Sequence, residues 1–318
     1  MNIASVKRIG IVGAGTMGSG IAEVFAESGY NVIWYNRSEA GIQRGLDCIR
    51  SNQVTLIQNK ILTQTEAEAA RAKIHPTHDL TDFAPVDVIS ESIAENLEVK
   101  ADIFRKLDQI CPPRTIFTTN TSGLSISQIA TAVSHPEQFA GMHYVNPSHI
   151  VPAVEIIKGE KTSSATCDLL IDLARRIGKY PVPVQKDVPG FIGNRIQFAV
   201  IREALHLVEE GVASPADIDA MVKHGLGLRW ALLGPLEIAD LGGLDVFNTI
   251  GNYLLKALSN TANSPEVLRA LVAEGKLGAK SGLGFYDYSE GKAQQIIADR
   301  DAKLLEMLRV KGPFEDQF

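Results

Sequence analysis

Residues 8–38 read RIGIVGAGTMGSGIAEVFAESGYNVIWYNRS. The apolar run Ile9, Ile11 and Val12 ends in Gly13-Ala14-Gly15-Thr16-Met17-Gly18, a helical pattern follows, and a second apolar run spans Val32 to Tyr35. Strand, glycine turn, helix and strand in that order turn the weak pattern G-x-G-x-x-G into a dinucleotide-binding fingerprint. Gly13 permits the tight turn, Gly15 lets a pyrophosphate approach the backbone, and Gly18 lets helix and strand pack closely. Thr16 and Met17 open the helix, whose N-terminus offers free N–H groups and a positive dipole end to phosphates. The competing reading is a structural glycine-rich turn in some other α/β protein.

The end of the second strand bears on the choice of coenzyme. An NAD site usually places Asp or Glu there, accepting from the adenosine ribose. In this chain the place falls to Asn36, followed by Arg37 and Ser38. A neutral amide does not repel a 2′-phosphate, a guanidinium pairs with it through two hydrogen bonds, and a hydroxyl donates to it. The corner therefore predicts NADP in preference to NAD. In the alternative, Asn36 binds the ribose hydroxyls of NAD and Arg37 lies in solvent.

A length of 318 residues allows one large or two ordinary domains. The hydrophobic share of 45% and charged share of 21% are those of a globular protein. A net charge of −6 argues against nucleic acid or an anionic membrane as the main partner. Cys48, Cys111 and Cys167 are odd in number, far apart and without metal-like spacing, which favours a reducing compartment and predicts no metal site. No apolar segment precedes the first strand, and no later run approaches membrane-spanning length, so the chain is expected to be cytoplasmic.

Strands and helices alternate as far as about residue 184. Ser38 to about Lys73 reads as one helix, Asn96 to Ile110 as another, and a further helix is expected from about Ser125. Apolar strands are expected near Val86–Ile89, Thr115–Thr118, Gly141–Val145, Ala153–Ile157 and Pro181–Val184. This alternation predicts an α/β, Rossmann-type, doubly wound and mostly parallel sheet. Around Lys186-Asp187-Val188-Pro189-Gly190 the pattern changes to nearly continuous helix. Asp187 can cap and Pro189 suits a first turn. The wide apolar surface from Ile192 to Val208 predicts a central, buried helix, and Ser214-Pro215-Ala216-Asp217 a capped helix start. The expected domains are residues 1–186, dinucleotide-binding, and 187–318, helical.

Ligands of an open α/β sheet gather at the carboxyl ends of its strands. Asn120, Thr121 and Ser122 fall at such an end, His143 at or near another, and Glu155 in the next strand. If the last two strands are neighbours, the carboxylate can bind one imidazole nitrogen and raise the basicity of the other. That pair suits removal of a hydroxyl proton as hydride leaves carbon. By itself a strand histidine is more often a packed core residue, and a lone glutamate a surface charge.

The ordered set GAGTMG, Ala94-Glu95-Asn96-Leu97 with Lys100, NTSGL, GMHYVNP, VPAVEII, DVPGFIGNR and GLGFYDY resembles the 3-hydroxyacyl-CoA dehydrogenases over residues 7 to 288. The resemblance implies a nicotinamide-binding domain followed by a helical domain that forms a homodimer. It implies that His143 is the general base, Glu155 its orienting partner, and Ser122 and Asn194 the holders of the reacting oxygen. Glu95, Lys100, Asn120 and Asn146 would lie along the coenzyme. The acyl-CoA enzymes carry a Lys-rich arm after the second strand, whereas Gln43 to Ile74 here is not strongly basic. The segment from Gly225 to Pro235, with Arg229 and Trp230, resembles instead the branch of lambda-crystallin, L-gulonate 3-dehydrogenase and carnitine dehydrogenase. Arg229 beside Trp230 could bind a free carboxylate, or form a structural ion pair while Trp230 fills core. Ile238 to Asp245 returns to the acyl-CoA pattern. The expectation is an NAD(P)-dependent dehydrogenase of a small 3-hydroxy acid, with a 3-hydroxyacyl-CoA substrate as the alternative. A non-catalytic, crystallin-like or cofactor-sensing protein is the rival from another class.

Overall fold

A computed structural model describes residues 2–312; residues 1 and 313–318, at the outer ends of the two expected domains, lie outside the described residues. Strand and helix alternate through β1 (Arg8–Val12), α1 (Thr16–Glu27), β2 (Asn31–Tyr35), α2 (Glu39–Gln58), α3 (Gln64–Arg71), β3 (Ile74–Thr77), β4 (Val88–Glu91) and α4 (Leu97–Ile110). They continue through β5 (Ile116–Thr119), α5 (Ile126–Ile129), β6 (Phe139–Tyr144), β7 (Ala153–Ile157), α6 (Ser164–Arg176) and β8 (Tyr180–Val184). The eight strands form one sheet in the order β3-β2-β1-β4-β5-β6-β7-β8. Only β6 and β7 run antiparallel to each other. This is the Rossmann-type doubly wound sheet that the alternation predicts.

Helices follow: α7 (Gly193–Glu209), α8 (Pro215–Met221), a π-helical segment Val222–Leu226, α9 (Gly227–Trp230), α10 (Pro235–Gly242), α11 (Leu244–Leu254), α12 (Glu266–Ala273) and α13 (Lys292–Lys311). Ser214 caps α8 as its sequence predicts, its hydroxyl accepting from the Asp217 amide. Residues up to Arg195 and Asp301–Val310 form one compact unit, and Ile196–Arg300 another. Residues 187–195 and the 301–310 stretch of α13 thus group with the sheet, although both fall in the expected helical domain of residues 187–318. Leu305 of that stretch is buried with Leu56 and Ile150.

The strands read as nearly continuous apolar runs because helices bury both faces of the sheet. Ile9, Ile11 and Val32 pack with Ile21 and Phe25 of α1 in one cluster. Val12, Ile89, Phe104, Phe117 and Phe139 belong to a second. In that cluster the Phe104 ring meets Phe117 and Phe139 edge-on at 6.0 and 4.8 Å.

Four local expectations are corrected. The helix read from Ser38 to Lys73 breaks at Lys60, whose φ is +58°, and restarts because Thr63 and Glu66 form a reciprocal capping box. The helix expected from Ser125 is a single turn, α5, followed by a 3-10 turn. Asp187 does not cap the helix after it; its carboxylate accepts from the Ser125 hydroxyl at 2.7 Å and the Ser127 amide at 2.8 Å. Finally, α7 is not a buried helix. Leu205 is its one buried residue, and Phe198 is 65% exposed among the described residues.

A charged cluster lies between α1 and α2. Glu23 is fully buried, with one carboxylate oxygen taking a hydrogen bond from Asn52 at 2.7 Å and the other without a partner. Burial pushes the Glu27 carboxyl up to about 7, against the opposing effects of Gln53 and Lys179. Folded Glu27 therefore keeps its proton at pH values where the unfolded chain has lost it. Its contribution is most favourable below about pH 4.5 and is lost as pH rises through about 7. Glu27→Gln should raise the melting temperature at pH 8 by a few degrees, on the order of 1–3 kcal/mol, and leave it nearly unchanged at pH 5. Thermal denaturation at the two pH values checks this, and equal shifts at both would contradict it.

Candidate active site

The glycine turn has the shape a pyrophosphate needs. Gly13 has a φ of +111°, and a Cβ there would meet the Ser92 carbonyl oxygen at 2.5 Å. A Cβ on Gly18 would collide with the Gly13 carbonyl, which explains the close approach of α1 to β1. Gly15 is different: a Cβ there would meet nothing within 4 Å among the described residues, so this side of the turn is open. Gly15 is also the N-cap of α1 and supplies no side-chain cap. The first amides of the helix, around Thr16 and Met17, are left for an anion.

At the carboxyl end of β2, the Asn36 amide donates to the Ser38 carbonyl at 3.2 Å. Ser38 caps α2 by accepting from the Gly41 amide, which leaves its own hydroxyl proton free. Arg37 is exposed and makes no ion pair among the described residues. Two residues missed in the sequence complete this corner. His78 places Nδ1 2.7 Å from the Asn36 carbonyl and Nε2 2.9 Å from the Glu39 carboxylate. The hydrogen bond to the Asn36 carbonyl, followed by that to Glu39, raises the His78 pKa. No short motif marks His78, because only the pairing of β3 with β2 brings it here.

The antiparallel register of β6 and β7 sets His143 opposite Glu155. His143 Nδ1 lies 2.7 Å from Glu155 Oε2, both side chains being buried. The carboxylate can only accept, so Nδ1 carries the proton and Nε2 is left as the basic nitrogen. Glu155 Oε1 accepts from the Ile192 and Gly193 amides at 2.9 and 3.0 Å. Partial burial works against its ionised form, but the His143, Gly193 and Ile192 hydrogen bonds outweigh it and hold the carboxyl below its usual range. Phe191, which the sequence reading passed over, packs its ring 5.8 Å from the imidazole.

Ser122 stands exposed on the turn after β5, and its carbonyl accepts from the Asn194 side chain at 2.8 Å. Asn194 is thus joined to the Ser122 turn. Asn120 Oδ1 accepts from the Tyr144 amide at 2.8 Å and so ties the end of β6 to that of β5. Asn146 is exposed just beyond β6, before a cis bond to Pro147. Glu95 does not stand free: its Oε1 takes the Thr121 hydroxyl at 2.5 Å and the Ser122 amide at 2.9 Å. Lys100 is 1% exposed and pairs with Glu91 at 2.6 Å, so it is enclosed in the protein rather than lying on an open surface. Glu91 itself was not singled out, since an acid at the end of an apolar strand carries no motif. Arg229 and Trp230 belong to the second unit. Both are exposed, and Arg229 makes no ion pair among the described residues, so neither the structural ion pair nor the core tryptophan is found.

Among the described residues, no group of three or more His, Cys, Asp or Glu could hold a metal ion, and no helix is long and apolar enough to cross a membrane.

A dinucleotide cradle and a carboxylate-bound histidine at the same edge of one sheet define a nicotinamide-dependent dehydrogenase acting on a CH–OH group. The profile of the 3-hydroxyacyl-CoA dehydrogenase NAD binding domain matches residues 8–188, and that of the C-terminal domain residues 190–288. The chain belongs to the 3-hydroxyacyl-CoA dehydrogenase family. It is 36% identical to 5-formyl-3-hydroxy-2-methylpyridine 4-carboxylate 5-dehydrogenase of Mesorhizobium japonicum, over 96% of this chain and 98% of that one. It is 37% identical to 3-hydroxybutyryl-CoA dehydrogenase of Clostridioides difficile, over 89% of this chain and all of that one. Among solved structures, a 5-formyl-3-hydroxy-2-methylpyridine 4-carboxylic acid 5-dehydrogenase described as an NAD+ dependent dismutase superposes with a TM-score of 0.91. It is 35% identical, covering 97% of this chain and all of that one. The (S)-3-hydroxybutyryl-CoA dehydrogenase of Ralstonia eutropha superposes with a TM-score of 0.74 at 37% identity, covering 90% of this chain and all of that one.

His143→Gln should lower kcat by about a hundredfold or more while leaving coenzyme affinity nearly unchanged. Steady-state rates and a fluorescence titration with coenzyme check this, and a variant retaining most of its turnover would remove His143 from the role of base.

Proposed function

We propose that this protein is an NADP-preferring dehydrogenase that interconverts the 3-hydroxy and 3-oxo forms of a small free acid. The observation that carries the chemistry is the His143–Glu155 hydrogen bond of 2.7 Å, buried at the carboxyl end of β6. In this reading Nε2 of His143 takes the substrate hydroxyl proton, and Glu155 stabilises the imidazolium that forms. The Ser122 hydroxyl and the Asn194 amide hold the oxygen as the carbonyl forms, and stabilise charge on it in reduction. The nicotinamide, when bound, accepts or supplies the hydride. In the reductive direction His143 returns its proton to the oxygen. Gly13, Gly15, Thr16, Met17 and Gly18 would hold the pyrophosphate, and Asn36, Arg37 and Ser38 the 2′-phosphate. Glu95, Asn120 and Asn146 would border the rest of the coenzyme, with Lys100 behind Glu95.

Two observations favour a free acid: the unpaired Arg229 beside exposed Trp230, and the Mesorhizobium relative, whose named substrate is a carboxylate. None of the relatives named above is named for gulonate or carnitine, so the acid is proposed by class. The second reading, a 3-hydroxybutyryl-CoA substrate, draws on the Clostridioides and Ralstonia relatives. The helical unit exposes Leu232, Leu236, Leu241 and Leu255 at 72, 80, 74 and 70%. Apolar exposure on that scale favours a homodimer formed through this unit.

Steady-state rates on 3-hydroxybutyrate, L-gulonate, carnitine, the pyridine carboxylate and 3-hydroxybutyryl-CoA, each with NAD and NADP, test the substrate and coenzyme together. Free acids should be turned over and the thioester much less; turnover of the thioester alone overturns the free-acid reading. Arg37→Ala should raise KM for NADP roughly tenfold and leave that for NAD within about twofold. A larger effect on NAD would reverse the coenzyme assignment. Sedimentation at micromolar concentration should give twice the chain mass, and a monomer there would exclude the dimer.

A further inference from the structure

Glu91 ends β4, opposite Val12 of β1 and Thr119 of β5, among the strand ends where an α/β sheet presents its ligand site. Glu91 and Lys100 are both removed from water. A buried ion pair is a poor source of stability, since apolar residues of similar volume often do as well or better. Its presence at this edge therefore calls for another role.

Both oxygens of Glu91 are committed. Oε1 accepts from Lys100 Nζ at 2.6 Å and from the Ile93 amide at 2.7 Å. Oε2 accepts from the Thr119 hydroxyl at 2.6 Å. Two routes lead from these partners to one turn. In the first, Lys100 Nζ reaches Glu95 Oε2 at 3.4 Å, and Glu95 Oε1 holds the Thr121 hydroxyl and the Ser122 amide. In the second, Thr119 Oγ1 accepts from the Thr121 amide at 3.3 Å. Thr121 Oγ1 then accepts from the Gly123 and Leu124 amides at 3.4 and 3.0 Å, which closes the turn. A carboxylate suits the junction because it can accept from a cation, a hydroxyl and an amide at once, where a carboxamide has only one acceptor oxygen.

We propose that Glu91 is a positioning residue for hydride transfer, anchoring Lys100 and Thr119 and, through them, fixing Glu95 and the turn that presents Ser122. The proposal rests on Ser122 meeting the reacting oxygen, but not on which acid is the substrate. Lys100 accordingly acts behind Glu95 and not as a direct ligand of the coenzyme.

The test compares wild type, Glu91→Gln, the double variant Glu91→Gln with Lys100→Met, and Ser122→Ala. Each is assayed on the best substrate of the panel above. Glu91→Gln leaves a buried lysine without its main partner and should lower both the melting temperature and kcat. The double variant buries no unpaired charge, so it should recover most of the melting temperature. Its kcat should still stand about tenfold or more below wild type, with KM for the coenzyme within about threefold. A double variant that recovers kcat to within about twofold along with its melting temperature assigns the pair a structural role and overturns the proposal. A loss confined to coenzyme KM overturns it too, because it makes Lys100 a coenzyme ligand. Ser122→Ala separates the two readings. If it keeps wild-type kcat, the role given to Ser122 fails whatever the Glu91 variants do.

Discussion

One reversed strand governs the chemistry of this sheet. Because β7 runs antiparallel to β6, His143 and Glu155 lie directly opposite each other in the ladder, where side chains come close enough to touch. Moving the register by one residue would turn one of the two onto the other face. The same carboxylate also receives the Ile192 and Gly193 amides. It therefore holds the start of α7, which carries Asn194, as well as the imidazole. Phe191 is buried between these points, with a φ of +50° that the two amide bonds on its C-terminal side help to hold. The imidazole and the Asn194 segment are held by a single carboxylate.

Buried charge takes two forms in the sheet unit. At the ligand edge every oxygen of Glu91 and Glu155 has a donor, and the network is closed. Between α1 and α2, by contrast, Glu23 and Glu27 each keep one oxygen without a donor. Burial then drives the Glu27 carboxyl toward its neutral form. Lys179 is pushed down to about 8 for the same reason, although the Ser148 and Val151 carbonyls accept from it. A satisfied network rigidifies, and a half-satisfied one titrates. The first arrangement suits a site that must hold atoms still, and the second marks a place where stability follows pH.

Much of this was legible in the sequence, for reasons that differ by element. The steric demands at Gly13 and Gly18 follow from backbone geometry alone and recur in the turn as built. The alternation of apolar runs with helical spacing carries the doubly wound sheet, because a strand buried on both faces has little choice of residue. The pairing of His143 with Glu155 was legible only conditionally, since neighbouring strands cannot be read from spacing. Long-range partners were not legible at all. Asp187 looked like a cap for the helix after it, yet it binds Ser125 and Ser127, some sixty residues earlier in the chain. Helix α7 reads as central because its apolar residues surround it, and composition alone does not say whether an apolar surface is covered. Glu91 was hidden by its own surroundings, for an acid next to Ile89 and Ser90 carries no pattern until the sheet places Lys100 and Thr119 against it.

The corner beyond β2 joins the first motif to the proposed coenzyme preference. An acid near a 2′-phosphate would repel it, and the NADP reading sets the phosphate at the corner where Glu39 lies in the first turn of α2. Its carboxylate is turned onto His78, whose other nitrogen is fixed by the Asn36 carbonyl. The same two hydrogen bonds raise the His78 pKa and so favour its charged form beside Glu39. Among the described residues, Arg37 makes no ion pair and the Ser38 hydroxyl donates to no partner. In the NADP reading, the acid that would repel the phosphate is drawn onto a residue just beyond β3, and is not lost from the sequence. Under that proposal coenzyme preference rests on a pairing across two strands, which no inspection of the glycine motif alone could supply.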